Sequence, residues 1–212
     1  MPNTSELVEV TSEAELRALF GGPSRRAATK VRPVLHERDK EWLAASPFCL
    51  IATAAADGSC DVSPKGDPAG VARPLDDTTI AIPDRAGNHR FDGFLNILSN
   101  PQVGLLFLVP GRPDTLRISG RARLIREAPF FDDMIVRGSR PELVLLVEIH
   151  EVFYHCPKAF LRAKLWDPGT WHPEAVPSTA QIVKSVQADI EETVADLERH
   201  YGPGYLQGLY PH

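Results

Sequence analysis

The chain has 212 residues, and 23 Lys and Arg against 28 Asp and Glu give a formal net charge of −5 at neutral pH. Apolar residues make up 43% of the chain and charged residues 24%, which excludes a disordered or collagen-like protein. The length favours one domain. The mild acidity argues against a nucleic-acid-binding protein, because such proteins ordinarily carry a basic patch.

The cysteines and the first residues bear on the compartment. The three cysteines are an odd number without C-x-x-C spacing, so neither a disulfide framework nor a structural zinc site is expected. Residues 1–10 lack the basic and apolar stretches of a secretory signal. No apolar run approaches the length of a membrane-spanning helix. We therefore expect a cytoplasmic protein that does not act on membranes.

The first part of the chain predicts helix and loop. Thr11-Ser12-Glu13 is typical of a capped helix start, and Gly21-Gly22-Pro23 is a stop signal. Residues 24–33 are polar and basic, and we expect them to be irregular. A second short helix is predicted from His36 to Ala45, ahead of Ser46-Pro47.

The middle of the chain changes to short apolar runs that are typical of β-strands. Asp57-Gly58 is a strong hairpin turn between the first two runs. Few helices lie between the runs, which favours a small antiparallel barrel over a parallel βαβ sheet. The predicted strands are Phe48–Thr53, Ser59–Val62, Thr78–Ile82, Val103–Val109, Leu116–Leu124 and Leu143–Phe153.

Two further helices are predicted from apolar spacing. Phe91, Phe94, Leu95 and Leu98 recur at helical intervals and indicate one apolar face, which ends at Asn100-Pro101. A last helix is predicted from Ser178 to His200, with Val183, Val186, Ile190, Val194 and Leu197 on one stripe. We expect that stripe to pack on the barrel of its own chain, with a coiled contact to a partner chain as the alternative.

Residues 82–92 are the segment best suited to bind a ligand. The chain leaves a strand, turns through Gly87 and is predicted to enter a helix with Asn88, His89 and Arg90 in its first turn. A helix N-terminus offers free N–H groups that suit a phosphate, and Arg85 and Arg90 could add charge-assisted hydrogen bonds. The alternative is a capped surface helix whose arginines pair with nearby aspartates.

Two more segments are weaker candidates. Residues 61–68 place Ser63, Lys65 and Gly66 where we expect a sharp turn, with backbone N–H groups that could contact the edge of a heterocycle. Lys158, Arg162 and Trp166 follow at intervals of four, so on a continuous helix they share a cationic and aromatic face. An ordinary polar loop and chance basic spacing are the respective alternatives.

The order of these segments resembles a known superfamily. The strings V-S-P-K-G-D, I-P-D-R-x-G-N-x-R-x-D, N-P-Q-V-G-L-L-F and T-L-R-I-S-G-R-A follow one another through residues 62–122. They resemble the pyridoxamine 5′-phosphate oxidase-like, FMN-binding split-barrel superfamily. The later C-P-K-A-F-L-R-A-K-L-W-D looks like its branch of probable FMN-dependent enzymes. The likeness covers about residues 30–175.

The resemblance implies a mainly β fold with flanking helices (α+β), a six-stranded antiparallel split barrel. It implies one domain over residues 1–212, with a core of about 30–175, an N-terminal helix and loop over about 1–35 and a C-terminal helix over about 178–200. It also implies a homodimer with FMN at the subunit interface and a small-molecule substrate.

The resemblance assigns three groups of residues to the cofactor and leaves the catalytic residues unassigned. The residues expected to contact the flavin edge are Val62, Ser63, Lys65, Gly66 and Asp67. The residues expected to bind the ribityl phosphate are Pro83, Asp84, Arg85, Gly87, Asn88 and Arg90. The partner chain is expected to bring Thr115 and Arg117, and the late sequence brings Lys158, Arg162 and Trp166.

The chain departs from the oxidase itself at three places. The oxidase has an R-x-V-L-L-K-like stretch where this chain has D-V-S-P-K-G, and Gln where this chain has Thr115. A terminal R-L-H-D-R-like substrate motif is also missing. The resemblance therefore carries over flavin binding rather than pyridoxamine-phosphate oxidation.

Three functional hypotheses follow from these observations. The first is an FMN-dependent oxidoreductase that acts on a small molecule. The second is a flavin-binding carrier or sensor without turnover. The third is a reductase that uses the deazaflavin F420 in place of FMN.

Overall fold

The computed structural model describes residues 7–187 and 189–210, and the chain divides into two units, Met1–Val31 and Arg32–His212. In the first unit, helix α1 (Glu13–Phe20) begins at Ser12, whose hydroxyl accepts a hydrogen bond from the Glu15 N–H, and ends at Gly21, as predicted. The segment expected to be irregular contains a one-turn helix, α2 (Arg25–Ala28). No described residue of this unit is buried.

The second unit contains the remaining elements, which differ from the predicted bounds by a few residues. Its strands are β1 (Phe48–Ala54), β2 (Cys60–Gly66), β3 (Arg73–Pro74), β4 (Thr79–Pro83), β5 (Gln102–Leu108), β6 (Thr115–Ile125) and β7 (Val144–His155). Its α-helices are α3 (Glu37–Ala45), α4 (Asp92–Ser99), α5 (Lys158–Ala163), α6 (Thr179–Val186) and α7 (Val194–His200). Short 3-10 helices span Pro129–Met134, Pro168–Thr170, Pro173–Ala175 and Pro203–Leu209.

All strand pairs are antiparallel, in the order β2-β1-β5-β6-β7-β4-β3. This confirms the predicted mainly antiparallel fold with flanking helices. The sheet has seven strands rather than the expected six, because Arg73 and Pro74 pair with β4 as a two-residue strand. So short a strand inside a loop rich in Gly, Pro and Asp leaves no periodic pattern in the sequence.

The core lies on one face of the central strands. Cys49, Leu105 and Ile118 alternate with less buried neighbours along β1, β5 and β6, as the strand pleat requires. Helix α3 adds Leu43 to this core and α4 adds Ile97.

Helix α4 packs through a different face from the predicted one. Phe91 precedes the helix, and Leu95 and Leu98 are exposed, while Phe94 and Ile97 pack on the core. The spacing of the apolar residues is helical, but it does not distinguish the buried side from the exposed side.

The opposite face of the sheet, here called the outer face, carries two cross-strand rows that are apolar on β2, β1 and β5 and polar in part on β6 and β7. The strand register places the members of each row side by side across β2, β1, β5, β6 and β7. The first row is Pro64, Leu50, Leu106, Arg117 and Phe153, and the second is Val62, Ala52, Gly104, Ser119 and Glu151. These side chains are half-buried or exposed.

The predicted C-terminal helix is two helices. α6 ends at Val186, and α7 restarts at Val194 because Thr193 and Asp196 form a capping box. Between them the Lys184 ammonium donates to the Ile190 carbonyl. The apolar stripe is consequently interrupted, and Val186 is largely exposed.

Among the described residues, none of the helices has both the length and the apolar character that crossing a membrane requires.

The register of β6 against β7 shifts between Ser119 and Gly120, so that His150 has no partner opposite it. A side chain at Gly120 would overlap the backbone carbonyl of Glu148. We expect Gly120→Ala to lower the free energy of unfolding by about 3 kcal/mol, because backbone on both strands must move. Urea denaturation measures the change.

Gly104→Ala is the matched control on β5, since an added methyl group there meets the Ala52 Cβ at an ordinary 3.9 Å. We expect this variant to keep most of its stability. Equal losses in the two variants would contradict the assignment of a close backbone approach at Gly120.

Candidate functional site

Strand β2 carries most of the residues that the sequence assigns to the flavin edge. Ser63, Lys65 and Gly66 were expected in a sharp turn, but they lie in a regular strand that pairs with β1 throughout. Asp61, Ser63 and Lys65 are half-buried on one face of that strand, while Val62 is exposed on the other. The first three therefore share a surface.

Helix α4 lies against this surface at its N-terminal end. A methyl group at Gly93 would lie only 3.0 Å from the Asp61 Oδ2 and 3.6 Å from the Ser63 Oγ. The Ser63 hydroxyl donates to Asp61 at 2.6 Å, and the Asn96 amide donates to Thr53 at 3.1 Å. The absence of a side chain at Gly93 thus lets the helix start close to polar groups of β1 and β2.

The loop before α4 differs from the prediction. Asn88, His89 and Arg90 were expected in the first helical turn, but the helix begins at Asp92. His89 and Phe91 adopt left-handed backbone conformations (φ 57° and 58°), which are incompatible with continuing a helix. No side chain caps the N-terminus of this eight-residue helix.

Arg90 lies on the surface at the entry to α4. Its guanidinium pairs with Asp92 at 2.8 Å, and the backbone N–H of Arg90 donates to the Asn88 Oδ1. This hydrogen-bonded pair lowers the pKa of Asp92 and raises that of Arg90. The arginine side chain is 72% exposed, so it can leave the carboxylate for another anion at little cost.

Lys65 reaches from β2 to the start of the same loop. Its ammonium lies 2.5 Å from the Asp84 Oδ1 and 4.7 Å from the centre of the Phe94 ring. Lys65 and Asp84 are both about one-fifth exposed. The lysine charge therefore stands beside the segment that the sequence assigns to the phosphate.

Arg85 forms a second and more buried ion pair. Its Nε and one terminal nitrogen donate to the Asp67 Oδ2 at 2.9 and 2.7 Å, and the guanidinium also donates to the Met134 carbonyl at 2.8 Å. The side chains of Arg85 and Asp67 are 12% and 6% exposed. Their burial makes this guanidinium much less available to a ligand than that of Arg90.

The two ion pairs join the strand ends of β2 and β4. These strands are not neighbours in the sheet, yet Lys65 of β2 holds Asp84, and Asp67 after β2 holds Arg85. The charges are reciprocal: at the end of β2 the cation Lys65 comes before the anion Asp67, and at the end of β4 the anion Asp84 comes before the cation Arg85. Side chains rather than backbone hydrogen bonds therefore close this gap in the sheet.

A cleft of about 310 Å³ lies beside the Asp67–Arg85 pair, and its wall also includes Arg73 and Asp133. These two residues pair at 2.9 Å. Each arginine in the wall thus already faces a carboxylate, so the cleft offers no unpaired cation to a phosphate.

Thr115 and Arg117 lie on β6 away from the groups described so far. Thr115 is buried, whereas Arg117 is exposed on the outer face, with its guanidinium carbon 5.4 Å from the centre of the Phe153 ring. Arg117 is thus accessible to a second chain and Thr115 is not, and the expectation that both reach the cofactor of a second chain stays a prediction.

The late basic and aromatic residues do not form the predicted helical face. Lys158 and Arg162 lie on α5, but Lys164 adopts a left-handed conformation that ends the helix before Trp166. The Trp166 indole instead donates to the Arg112 carbonyl at 2.8 Å. Among the described residues, no hydrogen bond or ion pair links Lys158 or Arg162 to β2 or α4.

The structure thus brings together part of the predicted set. The residues gathered around the start of α4 are Ser63, Lys65, Asp84, Asn88 and Arg90. Asp67 and Arg85 pair beside them. Pro83 is buried at the end of β4. Gly87 lies in the loop between them. The sequence analysis did not assign Asp61, Gly93 or Phe94 to the site. A glycine inside a predicted helix, here Gly93, is a signal that could have indicated a close approach of another segment.

An antiparallel sheet with flanking helices, closed between β2 and β4 by side chains, defines this chain as a split-barrel protein. The family model described as pyridoxamine 5′-phosphate oxidase matches residues 35–156. The chain belongs to this family. No curated protein matches it significantly.

Several solved structures are similar to this chain in fold. HupZ of Group A Streptococcus is 21% identical, covers 57% of this chain and 93% of its own, and has a TM-score of 0.46. A Lactobacillus delbrueckii protein assigned to the same family is 22% identical over 59% and 99%, with a TM-score of 0.45. The General Stress Protein 26 of Bacillus anthracis is 13% identical over 57% and 94%, with a TM-score of 0.41.

The residues at the start of α4 fit the phosphate end of a flavin mononucleotide. Lys65 and Arg90 are cations, and the uncapped helix start directs N–H groups and partial positive charge to the same place, whereas the Ser63 hydroxyl is committed as a donor to Asp61. The small residue at Gly93 leaves room close to the helix. Arg85 contributes through Asp67 rather than as a free cation.

The buried Asp67–Arg85 pair gives a prediction for stability. Asp67→Asn removes the charge that compensates Arg85, and we expect a loss of about 3 kcal/mol in the free energy of unfolding. Asp92→Asn removes the partner of Arg90, which is exposed, and should leave unfolding unchanged within error. Urea denaturation of both variants tests this, and an equal effect would show that burial does not distinguish the two pairs.

Proposed function

We propose that this protein binds FMN at the start of α4 and acts as an FMN-dependent oxidoreductase on a small molecule. The observation that carries the proposal is the convergence of Lys65 and Arg90 on a helix N-terminus that no side chain caps. Membership of the pyridoxamine 5′-phosphate oxidase family supports a flavin as the ligand.

In this proposal Arg90 and the N–H groups of α4 hold the phosphate. Arg90 exchanges Asp92 for phosphate oxygens, to which a guanidinium can donate two parallel hydrogen bonds as it does here to the carboxylate. Asn88 keeps the Arg90 backbone in place through its hydrogen bond. Lys65 adds a second positive charge from the strand side.

The charge around the start of α4 indicates that one chain alone is an incomplete site. Lys65 and Arg90 are two cations, whereas Asp61, Asp84 and Asp92 are three carboxylates. A phosphate would add further negative charge, so a cation from outside this group is required. We propose that Arg117 from the outer face of a second copy supplies it.

When bound, FMN would supply the redox chemistry, and the protein would supply binding, orientation and electrostatics. In this proposal the chain's own contribution is to hold the phosphate through Lys65, Arg90 and the N–H groups of α4, while the outer face of a partner covers one side of the cofactor. We assign no side chain as a catalytic acid or base.

The absorption spectrum of the purified protein and a titration with FMN test the proposal. We expect flavin bands or saturable binding, and we expect Arg90→Ala to weaken binding by at least about tenfold because a charged hydrogen bond is lost. Lys65→Met should weaken it similarly. Calorimetry or flavin fluorescence gives the dissociation constants.

Arg199→Ala is the matched control. Arg199 and Asp196 form a pair as exposed as Arg90 and Asp92 but on α7, and this variant should bind FMN normally. A deazaflavin spectrum would replace FMN by F420 as the cofactor. Binding without reduction by any tested substrate would favour a carrier or sensor, and the absence of binding to either cofactor would refute the proposal.

The outer face supports a homodimer. Pro64, Leu50 and Leu106 lie there in register across three strands, with Val62 in the neighbouring row, and an apolar face of this kind is typically covered by another chain. We propose that a second copy covers it and brings Arg117 to the cofactor.

A charge placed in the centre of the outer face should separate the two chains. We expect Leu106→Arg to give a monomer at micromolar concentration and to lose FMN binding, because a buried unpaired charge in an interface is costly. Light scattering and the FMN titration measure both effects.

Val176→Lys is the control, since Val176 is an exposed apolar residue outside the sheet. It should remain dimeric and bind FMN. A wild-type monomer would contradict the proposed dimer, and a monomeric Leu106→Arg that binds FMN with full affinity would separate the cofactor site from the interface.

A further inference from the structure

The last described residue, Tyr210, contacts the site from the far end of the chain. Its hydroxyl donates to the Asp67 Oδ1 at 2.5 Å, across 143 positions of sequence. The other carboxylate oxygen of Asp67 accepts from Arg85. The two oxygens of this buried carboxylate are therefore divided between β4 and the C-terminal segment.

The Tyr210 ring also lies against two guanidinium groups. The central carbon of Arg85 is 5.7 Å and that of Arg137 is 5.3 Å from the ring centre, distances at which a cation is attracted to the face of an aromatic ring. Burial and the hydrogen bond to Asp67 raise the pKa of Tyr210, so the phenol stays protonated as a donor at neutral pH. The contact thus combines one hydrogen bond with two ring contacts.

Arg137 holds a backbone conformation that is unfavourable for arginine. Val136 and Ser139 pair across a two-residue turn in which Arg137 (φ 51°) and Gly138 (φ 83°) are both left-handed. Asn, Asp or Gly is preferred at the first of these positions. The contact of its guanidinium with Tyr210 gives a physical reason for an arginine there.

Four segments meet at this cluster. Asp67 follows β2, Arg85 follows β4, the Met134 carbonyl accepts from Arg85, and Tyr210 covers the pair. The same two strand ends carry Lys65 and Asp84, which flank the start of α4. A contact that holds the Asp67–Arg85 pair therefore also holds the end of β2 and the loop after β4, the two segments assigned to the cofactor, relative to each other.

We propose that Tyr210 is a positioning residue, which acts through Asp67 and Arg85 to hold the end of β2 and the 84–90 loop in the arrangement that binds FMN. This inference rests on the proposed function. The described contacts of Tyr210 are with Asp67, Arg85 and Arg137 and not with Lys65 or Arg90, the two cations proposed to hold the phosphate, so its effect passes through the Asp67–Arg85 ion pair.

Three variants separate the contributions of the contact. Tyr210→Phe removes only the hydrogen bond to Asp67, and Tyr210→Ala removes the ring as well. Arg137→Asn removes the guanidinium beneath the ring but suits the left-handed turn, so this variant cannot act by destabilising the turn itself. Tyr205→Phe is the control from the same C-terminal segment, where the Tyr205 ring contacts Tyr201 at a tilt, with the ring centres 5.7 Å apart.

Hydrogen–deuterium exchange of the full chain without added cofactor is the first readout. The Asp67 N–H donates to the Pro47 carbonyl and the Asp84 N–H donates to the Leu143 carbonyl, so peptides over residues 63–70 and 83–90 report on both segments. We expect several-fold faster exchange in Tyr210→Ala, a smaller increase in Tyr210→Phe, and no change in Tyr205→Phe.

The FMN titration is the second readout. We expect Tyr210→Phe to weaken FMN binding about fivefold and Tyr210→Ala more strongly, with unchanged global unfolding in urea. Arg137→Asn should weaken binding at equal or greater stability, a result that a purely structural role would not produce.

Each outcome decides one of the two proposals. Unchanged exchange and unchanged FMN affinity in Tyr210→Ala would overturn the positioning role while FMN binding stands. If the unaltered protein binds no FMN, the proposed function fails, and faster exchange in Tyr210→Ala would still establish that the C-terminal residue holds these segments. Faster exchange together with weaker binding supports both.

Discussion

Two reciprocal ion pairs, Lys65 with Asp84 and Asp67 with Arg85, determine the arrangement on which the candidate site depends. They join β2 and β4, which share no backbone ladder. The second pair is largely buried, so it is costly to break once formed. The first is more exposed, and its lysine can exchange partners. One pair therefore fixes the strand ends while the other leaves a cation beside the start of α4.

This division explains why the three basic residues of the site play different parts in the proposed function. Arg85 is committed to Asp67 and to backbone carbonyls, whereas Arg90 is exposed and Lys65 is intermediate. A bound anion would therefore meet the fixed Asp67–Arg85 pair and two cations, Lys65 and Arg90, that can exchange their carboxylate partners for it. Carboxylates outnumber cations around α4, and in the proposed function Arg117 of a second copy supplies the missing charge, so that cofactor binding depends on association of the chains.

The sequence predicts the fold well because short apolar runs and the Asp57-Gly58 turn mark most of the strands between Phe48 and His155. It predicts the start of α4 badly, because the apolar spacing through this segment carries no sign of the left-handed conformations of His89 and Phe91. Trp166 leaves the predicted helical face for the same reason, after the left-handed Lys164. Tyr210 carries no local signal at all, since its partner is distant in the sequence.

The prolines of the two edge strands have a consequence for how this protein associates with other chains. β2 and β3 form the two ends of the sheet, and they contain Pro64 and Pro74 respectively. A proline has no backbone N–H, so it interrupts the row of donors that an incoming strand would use. Addition of a foreign strand, the usual first step of β-aggregation, is therefore impeded at both margins.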